Sequence, residues 1–221
     1  MIRAAAVTVV LLLLLGGCLF GAAGRLSWPM AWAVLGIYSA SKAAAFAFLD
    51  PELLRERAAP GPGVDRGDVV LATLGYLALY PATFVAAGLD AVRFGPAIHI
   101  AQSIQVAALL VYALGYGFSF WAVRSNPFFA TFVRVQEDRD HSVVSLGPYA
   151  LIRHPGYAGA LLAHLALPFA LGSIWALLPA AVGALFFVAR TSREDRTLRD
   201  RLVGYREYQA RVPWRLLPGV W

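Results

Sequence analysis

Two short stretches of this chain carry residue types able to do chemistry together. The first is GPYALIRHPGYAG, residues 147–159, with an Arg-His pair, two prolines and two tyrosines. The second is RTSREDRTLRDRLVGYREY, residues 190–208, whose Glu194-Asp195 pair follows Arg190 by one helical turn. Pro148 and Pro155 fix their own backbone and bias the residues before them away from helix. Pro155 also suits the first turn of a following helix, leaving Arg153 and His154 at its N-terminal mouth, where free N–H groups favour an anion. Gly156 and Gly159 leave room for a ligand or another helix. Arg190 and Glu194 share one helix face, as do Leu198, Leu202 and Tyr205. Adjacent carboxylates cannot face the same way, so one of Glu194 and Asp195 binds while the other meets solvent. Read alone, the first stretch is an anion-receiving corner or an interfacial anchor, and the second an active face or a surface helix laced with weak ion pairs.

Both stretches interrupt strongly apolar sequence. The 221 residues are 59% hydrophobic and 14% charged, with mean hydropathy +0.63. A soluble domain carries about 25% charged residues, so the composition predicts an all-α multi-pass membrane protein. Four apolar segments near 4–24, 27–49, 68–92 and 98–123 each approach the ~20 residues a spanning helix needs. A polar loop, 124–155, follows. Residues 156–189 then read as a helical hairpin broken near Gly172-Ser173, and the tail from Arg190 as a cytosolic helix ending in coil. The β-branched TFVRV and SVVSL runs suggest a short β-hairpin in the loop, with His141 in its turn. Two regions result: a four-helix membrane region, 1–123, and a region of polar loop, hairpin and tail, 124–221, which holds both chemically able stretches.

Arginine placement orients the chain. With the N-terminus inside, sixteen arginines, Arg3 among them, fall on the inner side and only Arg25 and Arg93 outside. The loop and tail then share the cytoplasmic face of an integral membrane protein, expected in a bacterial inner membrane. The +6 charge reports topology and anionic headgroups rather than nucleic acid. One cysteine, Cys18, excludes an internal disulfide and a Cys-based zinc site, and four scattered histidines give no metal-ligand spacing. LGGC at 15–18 resembles a lipoprotein signal, but the apolar run continues past it, so a retained first helix is expected. Lys42, beside Ser39 and Ser41, is either a functional embedded cation or a snorkelling one. His164 is expected to pack between helices, with reach to substrate as the other reading. The NPFF aromatics, 126–129, either line a substrate entrance or anchor at the interface.

Taken together, GPYALIRHPGYAG, the hairpin, RTSREDRTL, YREY and RVPWRLLP resemble the isoprenylcysteine carboxyl methyltransferase family over about residues 124–221. The resemblance implies a membrane methyltransferase that uses S-adenosylmethionine in a cytosolic pocket closed by the tail, with a lipophilic or lipidated substrate arriving from the bilayer. It implies cofactor contacts from Arg153, His154, Pro155 and Tyr157 and from the acidic pair, with Asp195 standing where a second Glu is commoner. Chemically, the Arg-His corner suits the cofactor's carboxylate, Glu194 or Asp195 its amine or diol, and Tyr149, Tyr157 or Tyr205 its sulfonium. Arg190 would hold an acceptor carboxylate; His154 or Glu194 would serve as base for a thiol or amine. Two rivals are a membrane sterol reductase using NADPH, whose tail YREYQARVPWRLLPGVW resembles, and a non-catalytic assembly or lipid-binding protein.

Overall fold

The computed structural model describes residues 2–59 and 61–221, with side chains from residue 5 onward. The side chain of Arg3 therefore lies outside the described residues. The elements are α1 (Ile2–Ala23), α2 (Pro29–Phe48), a short α3 (Pro51–Ala58), α4 (Arg66–Arg93), α5 (Gln102–Ser125), α6 (Pro155–Ala170), α7 (Leu177–Arg201) and α8 (Tyr205–Arg211). Helices α1, α2, α4 and α5 are long and apolar enough to cross a membrane. Each predicted span is present within a few residues of its expected ends.

Sequence signals set the boundaries. Pro29, Pro51 and Pro155 each open a helix, where a missing N–H costs nothing. The Asp50 side chain accepts from Glu52 N–H at 2.7 Å, and that of Asp65 from Gly67 and Asp68 N–H at 2.7 and 3.2 Å, so both helices are capped. Pro81 lies inside α4 and removes one ladder bond. The helix widens there into a π-turn, and Thr83 Oγ1 donates to the Ala78 carbonyl at 2.8 Å.

Helix α6 has 16 residues, about 24 Å at 1.5 Å per residue, less than the ~30 Å hydrocarbon core. It turns at Gly172, φ +74°, into α7. The hairpin is as expected, but its second arm and the tail helix are one unbroken helix to Arg201. Arg190 lies in mid-helix, so the acidic pair is held rigidly against the bundle. Helices α5 and α6 cross with their backbones touching. A Cβ on Gly159 would lie 2.6 Å from the Gly115 carbonyl and 2.6 Å from Ser119 N. Both obstacles are backbone, so Gly159→Ala is expected to destabilise by about 1–3 kcal/mol through overpacking, read as a lowered thermal midpoint in detergent.

Polar groups gather at the two ends of the bundle. At one, Asp90 accepts from Ser173 Oγ at 2.7 Å and from Ala97 N–H at 2.9 Å, closing the α6–α7 turn. At the other lie α3, residues 126–154 and the tail, with most of the arginines. The expected β-hairpin is absent: no strand forms among the described residues. The backbone that would have paired is engaged elsewhere. Val133 N–H donates to Asp68 at 2.7 Å, Asp65 N–H donates to the Val133 carbonyl at 3.3 Å, and the Thr131 carbonyl accepts from Arg190. Arg134 is buried between Glu56 at 2.8 Å and Asp138 at 2.7 Å. Long-range polar partners thus override local β propensity.

Candidate functional site

The 147–159 corner and the 190–208 helix do meet, and Asp195 joins them. Its carboxylate is 1% exposed and accepts from five side chains: Arg153 (2.8 and 3.2 Å), His154 Nε2 (3.2 Å), Tyr205 (2.9 Å), Gln209 (3.4 Å) and Arg215 (3.0 Å). Burial alone would raise its pKa. The His154 and Arg153 hydrogen bonds outweigh that and hold the carboxyl well below the usual carboxylate range. Burial, with Asp195 beside it, pushes the Tyr205 phenol up. The C-terminal segment completes the junction: Arg153 and His154 N–H donate to the Trp214 and Arg215 carbonyls at 2.9 and 3.0 Å. The third Arg153 nitrogen donates to the Val212 carbonyl at 2.8 Å. Arg153 is therefore fully engaged within the protein.

Glu194 faces the other way. It is half-buried and lines a cleft with His154, Gly156, Tyr157, Tyr149, Tyr205 and the 126–144 segment. Its only protein partner among the described residues is the Tyr157 hydroxyl, which donates at 2.5 Å. Neither carboxylate is left in bulk solvent: Asp195 is internal structure, and Glu194 faces the cleft. The mouth of α6 opens there too. Its N-cap His154 makes no side-chain cap bond, so the Gly156 and Tyr157 N–H groups of the first turn are uncapped. Phe129 covers Gly156 so closely that a Cβ there would lie 2.4 Å from the ring. Phe128 stacks on His141, centroids 4.4 Å apart, and both rings line the cleft. Burial, then the nearby Arg134 and Arg139, lower the His141 pKa to about 4, so this ring is neutral at pH 7. The NPFF aromatics are thus cleft wall.

Arg190 lies elsewhere. Its guanidinium makes a two-point pair with Asp68, at 2.7 and 3.0 Å, and donates to the Thr131 carbonyl. It is 2% exposed and does not line the cleft, although it lies 5.4 Å from the Tyr157 ring centroid. Tyr149 is buried; its hydroxyl accepts from Asn126 at 3.2 Å and its carbonyl from Tyr208 at 2.7 Å. Pro155 opens α6. His164 donates from Nδ1 to its own helix at Ala160 and packs on Tyr80, as a helix-packing histidine does. Sequence reading missed Asp68, Glu56 and Arg215. The cap signature of VDRGDVV was visible, but a partner 122 residues away has no local signal. No group of histidines, cysteines and acids suited to a metal occurs among the described residues.

The fold is that of a multi-pass membrane protein, with four helices long and apolar enough to cross a membrane. Residues 104–202 match the family model of the phospholipid methyltransferases, which covers α5, the cleft-forming segment and the hairpin with the acidic pair. The fold is similar to that of a eukaryotic intramembrane Ras methyltransferase, isoprenylcysteine carboxyl methyltransferase. The TM-score is 0.58 at 19% identity, over 98% of this chain and 77% of that one. No curated protein matches the sequence. The motifs and the family match over residues 104–202 both point to methyltransferases.

Proposed function

We propose that the protein transfers a methyl group from S-adenosylmethionine to a lipophilic substrate, with a carboxylate as the favoured acceptor. The observation that carries this is the cleft between the uncapped mouth of α6 and Glu194. Its donor set suits the cofactor: two free N–H groups for a carboxylate, a half-exposed Glu194 for an amine or ribose diol, and aromatic faces for a base and a cation. S-adenosylmethionine, when bound, supplies a methyl group on a positively charged sulfur.

The chain's own residues align and dehydrate. Glu194 is oriented by the Tyr157 hydroxyl, so its carboxylate stays aimed into the cleft. Phe128, Phe129 and Tyr149 exclude water from the reacting end, which strengthens electrostatic contacts there. Arg153 lines the cleft and is held by Asp195, Asp195 and Arg215 fix the wall from behind, and Arg190 acts the same way through Asp68. An ionised carboxylate acceptor needs no general base; for a thiol or amine, His154 is the group at hand. The cleft end of the bundle faces the cytoplasm in this reading, and the 124–221 region catalyses while leaning on Asp68 and Glu56 of the first 123 residues.

The test is methyl transfer itself. Membranes containing the protein, given methyl-tritiated S-adenosylmethionine and a lipid extract, are expected to yield label that base releases as methanol, the mark of a carboxyl ester. Base-stable labelled lipid would move the acceptor to an amine or a thiol. No label above control membranes across extracts of several sources would argue against the activity.

A further inference from the structure

The segment after α5 forms neither helix nor strand from Asn126 to Gln136, yet it supplies Phe128, Phe129, Ala130 and Phe132 to the cleft. Side chains hold it in place of a backbone ladder. Three successive carbonyls each accept from one: Pro127 from Arg139 at 3.1 Å, Phe128 from Gln136 at 2.6 Å and Phe129 from Arg57 at 3.5 Å. All three donors lead back to α3. Glu52 accepts from Arg139 at 2.9 Å, and Arg139 donates to Gln136 at 2.6 Å. Arg57 is itself on α3, and its carbonyl accepts from Thr131 Oγ1 at 2.8 Å. Glu56 pairs with Arg134 at 2.8 Å. A short helix between two membrane spans thus grips one wall of the cleft through Glu52, Glu56 and Arg57.

Arg57 is the grip that reaches furthest toward the cleft. Its guanidinium lies 5.1 Å from the Phe129 ring centroid, a cation–π contact. Unlike Arg134, Arg153 and Arg190, it forms no ion pair among the described residues. The same ring packs on the cluster of Leu49, Leu53, Leu54 and Val123, two of them on α3. It also lies on Gly156 in the first turn of α6, where a Cβ would come within 2.4 and 2.6 Å of Cε2 and Cζ. Contact therefore runs from α3 through Phe129 to the mouth of α6. A ring held there keeps water from the uncapped Gly156 and Tyr157 N–H groups, which strengthens their attraction for an anion.

We infer that Arg57 is a positioning residue for the cleft: from α3 it holds the Phe129 ring against Gly156 and keeps the mouth of α6 closed to bulk water. Its purpose rests on the methyltransferase reading; the placement of the ring does not. Gly156 is the counterpart. Its backbone is helical, so alanine fits there as far as the chain is concerned, and the obstacle is the far edge of the Phe129 ring. Gly156→Ala thus pushes away from one side the ring that Arg57→Gln releases from the other.

Two measurements test this, the first without ligand. Hydrogen–deuterium exchange of the full chain in detergent reads the amides at the start of α6. In Arg57→Gln those of Gly156 and Tyr157 are expected to exchange about tenfold faster, within the range of a lost cation–π contact, while α2 and α5 are unchanged. Gly156→Ala should expose the Tyr157 amide likewise, and the double variant should add little to either. Arg57→Lys, which keeps a cation for the ring, should restore most of the protection. Arg55→Gln, at an exposed position on α3, should change nothing. Unchanged exchange at Gly156 and Tyr157 in Arg57→Gln, or faster exchange spread over α2 and α5 as well, overturns the assignment. The second measurement is titration of S-adenosylhomocysteine, which Arg57→Gln and Gly156→Ala should each weaken by about tenfold. Unchanged affinity beside a loosened mouth overturns the role in binding. The two readings fail separately: a wild type that does not bind S-adenosylhomocysteine removes the methyl donor, and the exchange data still judge the ring's placement.

Discussion

Asp195→Asn is expected to lower the stability of the protein by about 3–5 kcal/mol, the scale seen when one partner of a buried charge network is removed. Asparagine keeps the shape and one acceptor oxygen but not the charge. Arg153, buried and bound on all sides, and Arg215 would then have no counter-charge, and the tail would lose its hold on the corner. The effect has a pH signature. The carboxyl titrates near 3.9 in an unfolded chain and well below that in the fold. Its contribution is therefore complete above about pH 5 and is lost as pH falls below 4 toward the folded-state value. Thermal midpoints of wild type and variant, measured from pH 7 downward, should converge at the acid end. A gap that stays constant with pH would mean the ionised carboxylate is not what holds the junction.

Asp68→Asn should be nearly as damaging, again about 3–5 kcal/mol, because it leaves Arg190 charged and enclosed at 2% exposure. Arg190→Met should cost a similar amount by leaving Asp68 unpaired. The two are in direct contact, so their effects should not add: the double variant Asp68→Leu/Arg190→Met is expected to be no less stable than either single one. This separates two roles for Arg190. As a positioning residue it becomes dispensable for S-adenosylhomocysteine affinity once Asp68 is also replaced. Had it held the substrate's carboxylate, the double variant would fold and bind S-adenosylhomocysteine yet lose methyl transfer to a carboxylate acceptor.

The spans were legible because their signal is local: about twenty apolar residues, with Pro, Asp or Gly at the ends, state a helix without reference to anything else. The meeting of corner and tail was legible from their shared side of the membrane. What each carboxylate does was not. Glu194 and Asp195 differ by 100° around one helix, and only the position of that helix against α6 decides which meets the cleft. The hairpin expected from TFVRV and SVVSL failed for the same reason, since Asp68 and Arg190 claim its backbone from far along the chain. Arg190 read as a free guanidinium because its partner lies 122 residues away.

The central claim is that a methyl donor binds between the mouth of α6 and Glu194. Calorimetric titration of S-adenosylhomocysteine into wild type and Glu194→Gln, with NADPH as the parallel ligand, tests it most directly. Micromolar binding to the wild type, weakened about tenfold or more in a Glu194→Gln protein of unchanged thermal midpoint, is the predicted result. Binding of NADPH alone, or no binding of either ligand by folded wild type, would contradict it.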